Sequence, residues 1–147
     1  MRHLSYLLLF FLFAMLSGGC SKDDDMPQEL VGTWQCVGFG ERNNAEIKAI
    51  EPQDCTSCYM LVIKENGDFS GSCTSSNLTI ERSFSINGKK KTIKIPGDYT
   101  PDDMLRPGDG NLYLKCLYDV RSYSVTSSDL QLFYTDNNYL LYKRITP

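Results

Sequence analysis

The chain has 147 residues, enough for one domain with its own hydrophobic core. Its formal net charge is −3, so the charge balance gives no reason to expect nucleic acid as a partner. The one histidine, His3, lies in the N-terminal segment discussed next. The rest of the chain therefore lacks the imidazole that Ser-His-Asp and Cys-His catalysis require, and we predict that it is not an enzyme.

Residues 1–19 have the pattern of an export signal. A short basic head precedes an apolar run over 6–16, which is too short to span a bilayer but suits the core of a signal peptide. Small residues then precede Cys20, an arrangement that resembles the lipobox of lipoproteins, although Leu16 lies one position further from the cysteine than is usual. We predict removal of residues 1–19 and lipid attachment at Cys20, the alternative being an ordinary secretory signal.

Residues 20–29 are predicted to be a lipidated acidic tether. Two or more acyl chains anchor a protein stably, at about 0.8 kcal/mol per buried methylene. The start of the tether resembles the signal that sends some Gram-negative lipoproteins to the outer face of the outer membrane. This export signal comprises Ser21, Lys22, Asp23, Asp24 and Asp25. We therefore expect a lipid-anchored outer-membrane protein that faces the cell surface, the simpler interpretation being a solvated linker on a periplasm-facing protein.

Residues 30–147 are predicted to form one β domain. Two Asn-Gly pairs, at 66–67 and 87–88, are strong hairpin signals, and helical spacing over 111–120 predicts one short helix capped by Asp109 or Asn111. Apolar patterning predicts strands at 30–39, 59–63, 69–73, 80–86, 89–95, 122–125, 130–134 and 139–144. Together these elements predict an antiparallel β-sandwich or partly closed barrel of about eight strands with one short helix.

A long Pro/Gly loop, 96–111, separates the predicted hairpins from the helix. It carries four aspartates, and carboxylates in such a loop can bind calcium, but the EF-hand spacing is absent. We predict a solvated loop and no metal site.

Several segments resemble the META/HslJ-like domain in its lipoprotein form. The resemblance covers about residues 30–145 and rests on the following stretches in order: Leu30-Val-Gly-Thr-Trp with Gly38-Phe39, Asp54-Cys-Thr-Ser-Cys-Tyr, Phe69-Ser-Gly-Ser, the segment 110–125, and Leu130-Gln-Leu-Phe-Tyr with Tyr139-Leu-Leu-Tyr-Lys-Arg. The resemblance implies a small β-rich fold with one helix and no enzymatic activity.

The tripeptide Gly32-Thr33-Trp34 is also similar to the Gly-x-Trp opening of lipocalin-like barrels. That resemblance implies a tryptophan that plugs one end of a barrel whose open end takes an apolar ligand. Trp34 is thus a candidate ligand-cavity residue, and the alternative that we favour is a core aromatic side chain.

Five cysteines follow the predicted lipid-bearing residue, so at least one thiol must stay free or pair elsewhere. Cys55 and Cys58 have the Cys-x-x-Cys spacing of zinc and redox sites. The pair precedes a strand in an all-β context, and the other cysteines repeat no zinc pattern. We expect Cys55 or Cys58 to join a structural disulfide. Cys36 and Cys116 lie in apolar segments and are expected to be buried.

These patterns predict a surface-anchored lipoprotein with a non-enzymatic β domain, an interaction or accessory module of the cell envelope. The alternative is a lipocalin-like carrier of a small apolar ligand. The expected partners are the membrane, through the N-terminal lipid, and either an envelope protein or a small apolar ligand. No cofactor and no nucleic acid are expected. An internal cavity would distinguish the carrier from a module packed with its own side chains.

Overall fold

The computed structural model describes residues 26–73, 82–83, 85–97 and 108–146. The predicted signal peptide lies outside these ranges, as does most of the predicted 96–111 loop. The predicted lipid-attachment and export residues also lie outside them: Cys20, Ser21, Lys22, Asp23, Asp24 and Asp25.

The described residues form ten strands and one nine-residue helix. The strands in the first half of the domain are β1 (Gly32–Glu41), β2 (Asn44–Ala49), β3 (Met60–Ile63), β4 (Asp68–Gly71), β5 (Arg82–Ser83), β6 (Ser85–Asn87) and β7 (Thr92–Lys94). Helix α1 (Gly110–Tyr118) follows, and the chain ends with β8 (Ser122–Val125), β9 (Asp129–Phe133) and β10 (Asn138–Ile145).

Nine strands make one antiparallel sheet in the order β5-β4-β3-β1-β10-β9-β8-β7-β6, and β2 pairs separately with β1. The two edge strands are separated in the chain by residue 84 alone, so the sheet must curl until its edges come close together. The result is a curled half-barrel with one short helix, which confirms the predicted fold class.

The strand count differs from the predicted eight at two places. The predicted strand 80–86 is divided into β5 and β6, which pair with different neighbours. Strand β2 was not predicted, because its exposed sequence has no alternation of apolar and polar residues. It forms a hairpin with the second half of β1, while the first half of β1 pairs with β3.

Glycine at position 38 of β1 lets the β2 hairpin lie close. A Cβ atom on Gly38 would collide with the carbonyl oxygen of Lys48 and with the Ile47 side chain. The register of the two strands also shifts between Phe39 and Glu41, so the hairpin is irregular where the two backbones are closest.

One end of the barrel is closed by a cluster around Trp34. The indole is fully buried, and its N–H donates to the Leu30 carbonyl at 2.9 Å. The Arg144 guanidinium lies 4.0 Å from the centre of a Trp34 ring, within cation–π range. Arg144 also donates to the carbonyls of Glu29, Val31 and Ser127, at 2.6, 2.8 and 2.9 Å. A single side chain from the last strand thus ties together the N-terminal turn, the β8–β9 turn and the first strand.

We predict that Arg144→Ala destabilises the fold by about 2–4 kcal/mol, because it leaves three carbonyls without their donor and uncovers the indole. The change is measured by urea unfolding followed through the fluorescence of Trp34, the only tryptophan.

Lys143→Ala is the matched control, because Lys143 is the neighbouring cation on β10 and makes one surface salt bridge, to Asp129. Such pairs contribute at most about 1 kcal/mol. Equal losses of stability in the two variants would contradict the role given to Arg144.

Candidate functional site

The chain enters the domain at the closed end of the barrel. The Met26 side chain approaches Gly67 in the β3–β4 turn, and Pro27 approaches Gly88 in the β6–β7 turn. Glu29 adds a salt bridge of 2.8 Å to Lys91, in which both side chains are about half exposed. The hydrogen bond to Lys91 lowers the pKa of the Glu29 carboxyl. The first described residues therefore lie at the end of the barrel that holds Trp34 and Arg144.

Helix α1 packs across the opposite end of the barrel. Its buried side chains come from successive turns of one face and join the strand residues in a single core. The segment before the helix is held by Glu51: the Asp109 backbone N–H donates to the Glu51 carbonyl at 2.9 Å, and the Asp109 carboxylate accepts from the Glu51 N–H at 3.0 Å.

Asp109 does occupy the N-cap position, but its side chain makes no capping hydrogen bond. The capping role predicted for Asp109 is wrong, because the carboxylate is engaged by Glu51 and by Lys48, 3.6 Å away. Asn111, the alternative cap, lies inside the helix.

Three tyrosines fill the interior below the helix. The ring centres of Tyr59 and Tyr113 are 4.9 Å apart in an edge-to-face arrangement, and the Tyr142 hydroxyl donates to the Tyr113 hydroxyl at 3.0 Å. The Tyr59 hydroxyl donates to the Glu51 carbonyl. All three side chains are at most 1 % exposed. The space that a carrier would keep for its ligand is thus taken up, between the helix and the strands, by the chain's own aromatic side chains.

Trp34, the predicted ligand-cavity residue, lies in this packed core at the closed end. It lines neither of the two clefts described below, and its polar atom is paired with Leu30.

Cys55 and Cys58 are joined in a disulfide that closes a short loop before β3. The Gln35 amide lies within 3.4 Å of the carbonyls of Cys55 and Thr56, and the Ser72 hydroxyl donates to the Ser57 carbonyl at 2.8 Å. The loop is therefore fixed to both β1 and the end of β4.

The other described cysteines, Cys36, Cys73 and Cys116, carry thiols that form no disulfide, and they are at most 7 % exposed. Burial raises the pKa of the Cys36 and Cys116 thiols, so both stay protonated near neutral pH. Burial and the neighbouring Cys116 also raise the pKa of Tyr134 to about 12. This arrangement fits inert packing groups rather than nucleophiles.

Two clefts open on the described part of the domain. The larger has a volume of about 400 Å³ and lies between β7 and the C-terminal end of α1. We call it the β7–α1 cleft. The smaller, of about 220 Å³, lies between β1 and the 50–59 loop, beside Cys55. Sequence reasoning did not identify either cleft, because residues from segments far apart in the chain form them.

Within the described ranges, no three cysteine, histidine or acidic side chains converge as a metal site requires. No helix in the described part of the chain has the length and apolar character needed to span a bilayer.

Comparison with known proteins shows the fold class and no more. No family model matches the chain, and no curated protein is similar to it. The fold is similar to the crystal structure, at 1.00 Å resolution, of a DUF4847 family protein from Bacteroides vulgatus. The two chains are 19 % identical with a TM-score of 0.59, and the match covers 82 % of this chain and 96 % of that one. The resemblance to the META/HslJ-like domain stays a prediction.

The buried tyrosines predict loss of stability in alkali. Burial raises the pKa of Tyr113 and Tyr142 well above the usual value of about 10. The folded state keeps both phenols protonated, whereas the unfolded chain ionises them near pH 10. Their stabilising contribution is therefore intact below about pH 10 and is lost as the pH rises towards the folded pKa.

We expect the urea midpoint to fall between about pH 8 and pH 10.5, and to fall less in Tyr142→Phe, which removes one of the two phenols. Tyr139→Phe is the control, since Tyr139 packs against Phe133 and not in the tyrosine cluster. The same pH-dependent loss in Tyr142→Phe and in the wild type would contradict this interpretation.

Proposed function

We propose that this protein is a surface-anchored lipoprotein of the outer membrane whose β domain is a non-enzymatic, META/HslJ-like interaction module of the cell envelope. Cys20 carries the lipid, and the module acts through its outer surface. The observation that carries the proposal is the position of the tether relative to the helix: the chain enters at the closed end, and α1 covers the opposite end.

The tether sets the orientation of the domain. Residues 20–26 span at most about 20 Å when fully extended. Met26 and Pro27 lie beside the β3–β4 and β6–β7 turns, so this short tether holds these turns near the membrane. Strand β1, with 10 residues, carries the chain about 30 Å away from that end. The β1–β2 hairpin, α1 and the larger cleft, between β7 and α1, then face away from the bilayer.

The packed interior favours a module over the alternative, a lipocalin-like carrier of a small apolar ligand. A carrier needs an apolar cavity of a few hundred Å³ that encloses its ligand. Here Trp34 and the three tyrosines are buried in one core cluster, and the two described clefts open on the outside of the domain.

Nothing in the described residues resembles catalytic machinery. Catalytic sites combine convergent polar groups with strongly shifted pKa values in a cleft. The strongly shifted pKa values here are raised by burial: Cys36, Tyr113 and Tyr142 lie in the core, and Tyr134 is partly buried against it.

The anchor is tested by metabolic labelling in the host with a clickable fatty acid. We expect label on the wild type and on Ser21→Ala, and none on Cys20→Ser, because only the thiol of Cys20 can carry the thioether-linked lipid. Label that persists in Cys20→Ser, or none in the wild type, would contradict the proposal.

The surface location is tested by replacing Asp23, Asp24 and Asp25 together with alanine. We expect the lipid label to remain while antibody binding to intact cells is lost, since the acidic run is proposed to direct export. Unchanged antibody binding would remove the export role from these residues and leave the anchor in place.

A further inference from the structure

The β7–α1 cleft exists because two neighbouring strands separate at their ends. Strands β7 and β8 share one register pair, Thr92 with Ser122, and the Ile93 N–H donates to the Arg121 carbonyl at 3.1 Å. Beyond this point β7 continues to Lys94, whereas the opposing chain turns away towards Asp119 at the end of α1. The gap between the two is an open cleft of about 400 Å³, within the size range of small-ligand sites.

The cleft has an apolar floor and a polar rim. Ile93 and Val120 are buried and form the floor, and Tyr118 is half-buried beside them. The rim carries two hydroxyl groups and three charged side chains, all exposed: Ser85, Thr92, Lys94, Asp119 and Arg121.

Two cations on this rim have no acidic partner. Neither Lys94 nor Arg121 makes a salt bridge to an acidic group in the described ranges, although Asp119 lines the same cleft. Three other lysines on the described surface, Lys48, Lys91 and Lys143, do have an acidic partner. Two unpaired cations at a cleft offer charge-assisted hydrogen bonds to an anionic group.

We propose that the β7–α1 cleft binds a small hydroxylated organic anion, a sugar acid or a sugar phosphate. Lys94 and Arg121 bind its carboxylate or phosphate. The Asp119 carboxylate accepts a hydrogen bond from a ligand hydroxyl, and the hydroxyls of Ser85 and Thr92 bind others. The apolar side of the ligand lies on Ile93 and Tyr118. This site goes beyond the proposed interaction module and does not depend on the lipid anchor.

The test is titration of the purified full chain with glucuronate, glucose 6-phosphate, neutral glucose and acetate, followed by two-dimensional NMR. We expect glucuronate or glucose 6-phosphate to shift the resonances of Lys94, Asp119 and Arg121 with a Kd at or below about 1 mM. If only glucuronate binds, the anionic group that the cleft recognises is a carboxylate. If only glucose 6-phosphate binds, it is a phosphate. Glucose lacks the charge and acetate lacks the hydroxyls, so we expect each to bind at least about tenfold more weakly.

Lys94→Ala and Arg121→Ala should each weaken binding by about fivefold or more, and added salt should weaken it further. Lys115→Ala is the matched control, since Lys115 is an exposed cation on α1 that does not line the cleft, and it should leave the affinity unchanged. If Arg121→Ala fails to fold, the resonances that shift in the wild type still show whether the ligand binds in this cleft.

Three results would overturn the proposal: no binding of either anion up to about 10 mM, binding of glucose or acetate as tight as that of the anionic sugars, or an affinity that neither Lys94→Ala nor Arg121→Ala changes.

Discussion

The stacking of Arg144 on Trp34 is the interaction on which the closed end of the barrel depends. The first and last strands of the chain, β1 and β10, are neighbours inside the sheet and pair along most of their length. Arg144 adds side-chain bonds to that pairing by covering the indole and donating to carbonyls of the N-terminal turn and the β8–β9 turn. Arg144 is partly exposed, and its bonds to these carbonyls hold the guanidinium against the buried indole.

Both ends of the barrel and the space between them are occupied by the chain itself. The N-terminal turn, with Leu30 fully buried, blocks one end, and α1 covers the other. The tyrosine cluster of Tyr59, Tyr113 and Tyr142 occupies the space between. A barrel filled in this way presents its chemistry on the outside, and the proposed anchoring through Cys20 would leave the helix-covered end as the surface available to partners.

Much of the fold could be predicted from the sequence because local signals were strong. Asn66-Gly67 and Asn87-Gly88 do form the β3–β4 and β6–β7 turns, and the alternation in the last three strands placed β8 at its observed bounds. The predicted helix over 111–120 is close to the observed Gly110–Tyr118. In each case the pattern reflects contacts between near neighbours in the chain.

The missed features depend on contacts between distant segments. Asp109 is the right residue type for an N-cap, but its carboxylate accepts a hydrogen bond from the backbone N–H of Glu51, which is far away in sequence. Strand β2 can pair with β1 because Gly38 has no side chain to collide with it, whereas the sequence of β2 itself has no strand pattern. The contact of Arg144 with Trp34 did have a signal in the sequence. Leu140, Tyr142 and Arg144 lie on one face of β10, and a cation on the same face as buried apolar residues indicates a buried partner.

The central claim is that the barrel interior is filled by the chain's own side chains. The most direct test is native mass spectrometry of Cys20→Ser, exported and purified from its own host, because this variant cannot carry the lipid proposed at Cys20, which would retain membrane components. We predict a bare protein mass. A co-purified apolar molecule that leaves only when the protein unfolds would contradict the filled interior and favour the carrier.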